Sequence, residues 1–237
     1  MDTSLHACSR LFGKVLVPFA LAGATSALHA QIVVSQWTFE APNVPADVAN
    51  TAVYPEPIPP ATGTGVAGGL HGSTATDYTT PSGNGSSESF NSNNWGIGDY
   101  YQFSTSTTGA QDIGVQFDQT RSGTGPGTFD LSYSTDGTNF ILALDDYTVP
   151  GIGWDPAIPD AAGTTTFFAD LSSVAALDDA NMVVFRLVAQ VAGGSAVGTS
   201  RVDNFTVLAN VPEPGGGAYL GAISLTVLGV RRLRRGI

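Results

Sequence analysis

Residues suited to nucleophilic or acid–base chemistry are few in this 237-residue chain. His71 is the only histidine after residue 30, and it stands in a glycine-rich stretch, 61–72. A histidine in such a stretch is typical of a solvated loop. No Gly-x-Ser-x-Gly elbow accompanies it, and no Ser–His–Asp set can be assigned around it. We therefore predict no catalytic residue of the serine-hydrolase type.

Carboxylates are plentiful, but their spacing does not indicate a glycosidase pair. The pairs Asp145-Asp146 and Asp178-Asp179 are adjacent in sequence, and adjacent residues of a strand point to opposite faces. Only two glutamates, Glu56 and Glu88, lie between residues 41 and 210. The sequence therefore predicts a protein that is not an enzyme, with a secreted hydrolase as a distant alternative.

Acidic side chains could also bind calcium, since Ca²⁺ prefers oxygen ligands. No Asp-x-Asp-x-Asp-Gly loop is present, so we assign no cofactor and no metal ligand and leave structural calcium open. Asp203 is two and four residues from Phe205 and Val207 on a predicted strand, so it shares their face of that strand. It would then point inward, toward an ion or hydrogen-bond donors. A bulge or a strand end would instead leave it exposed.

Aromatic side chains could stack on sugar rings. The candidates are Trp95, Tyr100, Tyr101 and Trp154. Each could equally anchor the core or a loop, so the sequence names no ligand-binding residue.

The charge distribution excludes one class of partner. Charged residues make up 12% of the chain, and residues 31–210 hold three arginines, no lysine and eighteen acidic residues, a formal net charge of −15. Such a surface repels phosphate backbones, so we predict that no nucleic acid binds.

The N-terminus has the pattern of a secretory signal peptide over residues 1–30. Arg10 and Lys14 precede an apolar run, 15–24, and small residues follow it, with cleavage after Ala27 or Ala30. The chain's one cysteine, Cys8, lies in this segment, so the mature protein can form no disulfide. We expect signal peptidase as a processing partner.

The C-terminal segment, 211–237, has three parts. The motif Pro212-Glu213-Pro214 is followed by three glycines and a mostly apolar stretch, so that a transmembrane helix is predicted over about 216–230. The chain then ends with a basic cluster. The basic residues of that cluster are Arg231, Arg232, Arg234 and Arg235.

This tail resembles the PEP-CTERM sorting signal of Gram-negative bacteria. The resemblance implies recognition by exosortase, a membrane transpeptidase-like enzyme, with processing at Pro212, Glu213 and Pro214. The apolar residues 218–230 reach only ~20 Å as a helix, so flanking glycines and snorkelling arginines must extend the span. The arginines place this end in the cytoplasm, which implies a transient inner-membrane intermediate before delivery to the cell surface or the extracellular matrix.

The middle of the chain, 31–210, is predicted to be one β-sandwich domain. Residues 41–98 are rich in proline and glycine and are expected to be largely loop, with a short strand or two. Beyond them, Ile113, Val115 and Phe117 alternate with polar residues, as in a half-buried strand. Strands are predicted at 31–39, 100–105, 112–120, 127–135, 140–147, 164–169, 181–189 and 200–208, with one helical turn at 170–177 capped by Asp170 or Ser172. About eight strands without intervening helices favour an antiparallel sandwich of jelly-roll type.

Two short segments resemble galactose-binding-like, discoidin-type jelly rolls. Residues 131–140 carry a Tyr-Ser-x-Asp-Gly turn followed by an aromatic, Phe140, which is expected to fill the core; residues 201–207 look like a closing strand of carbohydrate-binding jelly rolls. The resemblance implies the fold and no binding residue. The prediction is therefore a non-enzymatic exported protein of the cell surface, sorted through its tail. The alternative is a carbohydrate-binding module at the same location, with extracellular polysaccharide as its partner.

Overall fold

Two antiparallel β-sheets make up the part of the chain that the computed structural model describes, residues 29–212. Eleven strands and one 3₁₀ turn, Ala175–Leu177, are found there. The strands are β1 (His29–Trp37), β2 (Val66–Leu70), β3 (Tyr78–Thr79), β4 (Phe90–Ser92), β5 (Tyr100–Thr105), β6 (Gln111–Arg121), β7 (Thr128–Ser134), β8 (Ile141–Thr148), β9 (Thr166–Asp170), β10 (Val183–Ala189) and β11 (Ser200–Pro212). The predicted all-β sandwich is confirmed.

The first sheet has the strand order β3-β4-β11-β6-β9, and β1 also pairs with β11. Strand β11 is long enough to hold two partners on one side, because β4 pairs with its start and β1 with its later residues. The second sheet has the order β2-β5-β10-β7-β8. Its central strand, β10, is therefore flanked on both sides, whereas β2 and β8 form its edges.

The core lies between the two sheets and is dominated by aromatic side chains. Phe103 of the second sheet stacks on Phe205 of the first, with ring centroids 3.6 Å apart, and Trp37 packs edge-on against Phe103. The predicted inward positions of β6 are confirmed, since Ile113, Val115 and Phe117 are all fully buried. The opposite face is less exposed than predicted, because Gln116 is exposed but Gly114 and Asp118 are covered. Burying a phenylalanine or leucine side chain contributes roughly 1.5–3 kcal/mol, so the inward positions account for much of the stability.

Residues 41–98 contain more regular structure than the sequence predicts. Besides β2, β3 and β4, isolated bridges such as Val48 to Tyr78 and Ile58 to Ala67 tie this segment to the sheets. Strand β2 reads Val-Ala-Gly-Gly-Leu and has weak β-propensity. It is a strand because it pairs with β5 over its whole length, a long-range contact that local composition does not reveal. The expected turn at 170–177 is shorter, and the residue before it, Val174, caps it without a side-chain hydrogen bond.

The terminal predictions fall largely outside the described residues. The signal peptide up to residue 28, Glu213, Pro214, the helix at 216–230 and the arginine cluster at 231–235 all lie there. Pro212 is the last residue of β11 and pairs with His29. Residues 29–212 include no helix with the length and apolar character needed to cross a membrane.

Candidate functional site

A groove lies at the β2 edge of the second sheet, between β2 and the segment 53–57. Its volume of about 360 Å³ falls within the ~300–1,000 Å³ typical of ligand sites. Tyr100 and Gln102 of β5 line it. Because they are two residues apart on one strand, they share a face, and Tyr101 between them is buried in the core. The groove therefore belongs to the outer face of the second sheet.

The floor of this groove is bare backbone. Gly68 pairs with Gln102 in the β2–β5 ladder, and a Cβ at Gly68 would meet no atom within 4 Å. The next residue points the other way, since a Cβ at Gly69 would lie 2.7 Å from the ring of Tyr78 in the core. One glycine thus keeps the groove open, and the other makes room for a core aromatic.

Arg186, on the central strand β10, lies beside the groove on the same face. Its Cζ is 4.1 Å from the ring centroid of Tyr100 and 3.8 Å from that of Phe140. Its Nε donates a 2.9 Å hydrogen bond to Oε1 of Gln102. The guanidinium therefore lies between two rings that come from opposite sides of β10, and Gln102 accepts a hydrogen bond from its Nε. We call Tyr100, Arg186 and Phe140 the aromatic–arginine stack.

Three of the four aromatics considered from the sequence are not available to a ligand. Tyr101 and Trp95 belong to the core, and Trp154 is buried beneath the first sheet's outer loops, near the guanidinium of Arg201. Tyr100 is the exception, because it is half-buried at the groove. The expectation that Phe140 fills the core is wrong. It precedes β8 directly and lies on the outer face, against Arg186.

An acidic cluster lies on the same sheet, where Asp130 of β7 faces Asp145 and Asp146 of β8. Their carboxylate oxygens lie within 4.8 Å of one another. Asp145 and Asp146 were expected to point apart. They converge because the β7–β8 pairing is bulged here and Asp146 adopts a left-handed backbone, with φ of 45°. Exposed acidic groups of this kind are common without a bound ion, so we assign no metal to them.

His71 is not the solvated loop residue that the sequence predicts. It is 2% exposed, its Nε2 lies 3.0 Å from Oγ of Ser92, and its Nδ1 lies 3.0 Å from Oδ2 of Asp99. This second contact is short, but it falls outside the geometry of a well-directed hydrogen bond. Tyr101 extends the network by donating its hydroxyl to the carbonyl of Ser200 at 2.6 Å.

This Ser–His–Asp arrangement has the residue types of a catalytic triad but not the access. Ser92, His71 and Asp99 are all buried in the interior, so a substrate carbonyl cannot reach Oγ of Ser92. Burial alone would raise the pKa of Asp99, but the neighbouring His71 imidazole and hydrogen bonds from two backbone N–H groups outweigh it and lower that pKa. The network therefore ties β4, β5 and the segment after β2 together.

A buried carboxylate pair, Asp118 and Asp203, lies under the outer loops of the first sheet. The two residues are directly opposite each other in the β6–β11 ladder. The sequence predicts that Asp203 points inward, because it is two residues from Phe205 on one strand. It does not, because the strand has a bulge at Asn204, whose left-handed backbone has a φ of 51°, and the bulge shifts the register. It is nonetheless fully buried, since residues of the segment 81–89 cover it.

Hydrogen bonds hold both carboxylates. Oδ2 of Asp203 accepts from the backbone N–H of Asn84 and from Oγ of Ser86, at 2.9 and 2.7 Å. Asn84 also donates to Oδ2 of Asp118 at 3.0 Å. Burial, reinforced by the charge of Asp118 and opposed by these hydrogen bonds, raises the pKa of Asp203 to about 7. The pair fastens the loop to the sheet and is closed to a ligand.

The sequence pointed to Tyr100 but missed Gln102, Gly68 and Arg186. Arginine is rare between residues 31 and 210, where only Arg121, Arg186 and Arg201 occur. That rarity was the one signal that could have drawn attention to Arg186.

No protein-family model and no curated protein matches the sequence. Among solved structures, one similar to this chain is that of the CBM22-1–GH10 modules of a Clostridium thermocellum xylanase in complex with xylohexaose. The TM-score is 0.41 at 16% identity, over 75% of this chain and 28% of that one. A cleaved adhesin domain of Lys-gingipain from Porphyromonas gingivalis has a TM-score of 0.39 at 12% identity, over 74% and 98% of the two chains. The carbohydrate-binding protein TmCBM61, in complex with β-1,4-galactotriose, has a TM-score of 0.35 at 14% identity, over 60% and 85%. Similarities this weak carry no inference about what this chain binds.

Proposed function

We propose that this domain is a carbohydrate-binding module that holds a glycan in the groove on the outer face of its second sheet. The observation that carries the proposal is the partly exposed Tyr100 ring at a groove whose floor, at Gly68, is bare backbone. A sugar ring has an apolar face and a polar rim, and it needs a flat aromatic surface beside hydrogen-bonding groups.

The groove supplies both kinds of contact. Tyr100 offers the aromatic surface. Gln102 is held in place by a hydrogen bond that its Oε1 accepts from Arg186. Because its amide nitrogen makes no hydrogen bond to any of residues 29–212, that nitrogen can donate to a sugar hydroxyl. Glu56, on the opposite wall, adds an acceptor.

We also propose that the protein acts outside the cytoplasm and is not an enzyme. The N-terminal segment 1–30 and the C-terminal segment 211–237 support export and sorting, with exosortase as the processing partner. Signal peptidase would remove the leader, and the inner membrane would hold the tail until it is processed. The burial of Ser92, His71 and Asp99 supports a non-enzymatic role.

Filling the groove tests the proposal. Gly68→Phe places a ring where a Cβ meets nothing, and phenylalanine suits a strand, so the variant should fold while its groove is blocked. Its affinity for a retained polysaccharide should fall at least tenfold in affinity gel electrophoresis of the full-length protein.

Gly153→Phe is the matched control. It is the same substitution at another glycine whose Cβ would meet nothing, and it lies in the loop between β8 and β9, away from the groove. Its affinity should equal that of the unsubstituted protein. If both variants bind equally well, or if no polysaccharide in a broad panel retards the protein, the proposal is wrong.

A further inference from the structure

Arg186 has an arrangement that is unusual in so acidic a protein. Residues 31–210 carry three arginines and eighteen acidic residues. Yet within residues 29–212 none of the arginines lies within 4.0 Å of a carboxylate oxygen. Arg121 and Arg201 instead donate from a terminal amino group to backbone carbonyls. Arg186 alone makes no hydrogen bond from its terminal amino groups to the described part of the chain.

The surroundings of Arg186 hold its guanidinium in one orientation. It lies between the rings of Tyr100 and Phe140, and Gln102 accepts a hydrogen bond from its Nε. The remaining edge carries the two terminal amino groups, which form the fork that binds a carboxylate with two parallel hydrogen bonds. A half-buried guanidinium without a counter-ion is unfavourable, and a ligand carboxylate would relieve that.

Resting on the proposed function, we infer that Arg186 binds a carboxylate of the glycan, so that the ligand is an acidic polysaccharide containing uronic acid. A sugar that stacks on Tyr100 lies directly beside Arg186, because Tyr100 also belongs to the aromatic–arginine stack. A carboxylate on that sugar or on the next one is therefore within reach of the fork.

The negative charge of the domain limits how this anion is held. The acidic cluster of Asp130, Asp145 and Asp146 lies on the same sheet, and Asp130 is two residues along β7 from Ser132, the cross-strand partner of Arg186. On the second sheet an anion is therefore attracted over Arg186, by direct contact, and is repelled by the acidic surface around it. This favours a polymer with one carboxylate per sugar over a densely sulfated one.

The test compares polymers that differ only in the carboxylate. The full-length protein is run in affinity gels containing polygalacturonate or alginate, and in parallel gels containing the carboxyl-reduced form of each. At least one acidic polymer should bind about tenfold more tightly than its reduced form. Arg186→Lys keeps the positive charge but loses the paired amino groups, so this variant should bind the acidic polymer no more tightly than its reduced form. Arg121→Lys, which changes an arginine of the first sheet, should still bind the acidic polymer more tightly than its reduced form.

A second measurement needs no variant. On addition of galacturonate, the NMR signal of the Arg186 Nε–H group should shift, whereas those of Arg121 and Arg201 should stay. Acetate at equal concentration should shift it far less, because it lacks the sugar ring.

Each alternative outcome overturns the inference. Equal binding of the acidic and reduced polymers, or an unchanged preference in Arg186→Lys, rules out the carboxylate and leaves the carbohydrate-binding function standing. An equal response to acetate identifies a general carboxylate site instead of a glycan site. If no polymer binds at all, the proposed function fails as well.

Discussion

Replacing Asp203 by asparagine should remove a large pH dependence of stability between about pH 4 and pH 7. The Asp203 carboxyl is fully buried opposite Asp118, and burial raises its pKa from 3.8 to about 7. In this window the folded protein therefore holds a proton that the unfolded chain has released. When the folded state binds more protons, the free energy of unfolding falls as the pH rises.

The size of the effect follows from the width of the window. Each pH unit between the two pKa values lowers the free energy of unfolding by about 1.4 kcal/mol. The window spans roughly three units, so Asp203 should cost the folded protein about 4 kcal/mol by pH 7. That is a large part of the ~5–15 kcal/mol of a typical domain. Below about pH 4 the cost is absent, because the group is protonated in both states.

Urea unfolding at one-unit intervals from pH 4 to pH 8 measures this slope. Asp203→Asn cannot satisfy every donor around the carboxylate, and one orphaned donor costs about 1–3 kcal/mol. The decisive quantity is therefore the slope and not the stability at a single pH. Asp160→Asn is the control in the neighbouring loop. Hydrogen bonds from Thr164 and Thr165 lower the pKa of Asp160, so its titration falls below the window, and this variant should keep the slope.

A flat stability profile of the unsubstituted protein between pH 4 and pH 7 would refute the reasoning. So would an unchanged slope in Asp203→Asn. Asp99 cannot imitate the effect, because its pKa is lowered. The stability that Asp99 contributes is present above its ordinary pKa and is lost only as the pH falls through the lowered value.

Two further outcomes are expected. Tyr101→Phe leaves the buried carbonyl of Ser200 without its 2.6 Å hydrogen bond. The free energy of unfolding, measured in urea, should therefore fall by about 1–3 kcal/mol. A fall of less than about 0.5 kcal/mol would contradict this structural role. Two changes in the tail should each leave a longer, membrane-retained protein. Glu213→Ala removes the carboxylate of the processing motif. Replacing all four arginines of 231–235 by serine removes the cytoplasmic charge anchor. Intact-mass measurement of the exported protein decides it. Persistence of residues 211–237 in an exosortase-bearing host would show that the tail is a permanent anchor.

The strands could be predicted because their signal is local. In β6, Ile113, Val115 and Phe117 recur at the two-residue period that places them on one face of a strand. The Asp136-Gly137 turn is also local: Gly137 has a φ of +74°, which glycine adopts without strain. The terminal processing signals are local patterns as well, and they stay predictions.

The surroundings of the aspartates could not be predicted in the same way, because register and bulges decide them. A single bulge at Asn204 turned Asp203 from the core face to the opposite face, and another brought Asp145 and Asp146 together. Since side chains alternate along a strand, one extra residue reverses every assignment that follows it. No periodicity in the sequence marks where such a residue lies.

The sequence by itself therefore determined the all-β class and the acidic character of the domain, because composition and short-range pattern set these. Only the tertiary structure decided which side chains meet. Arg186 and Gln102 are 84 residues apart in the chain, yet they share one face through the pairing of β10 with β5. His71 is buried because Ser92 and Asp99 of other segments surround it. Long-range pairing of this kind depends on the whole sheet order, which no local stretch of sequence encodes.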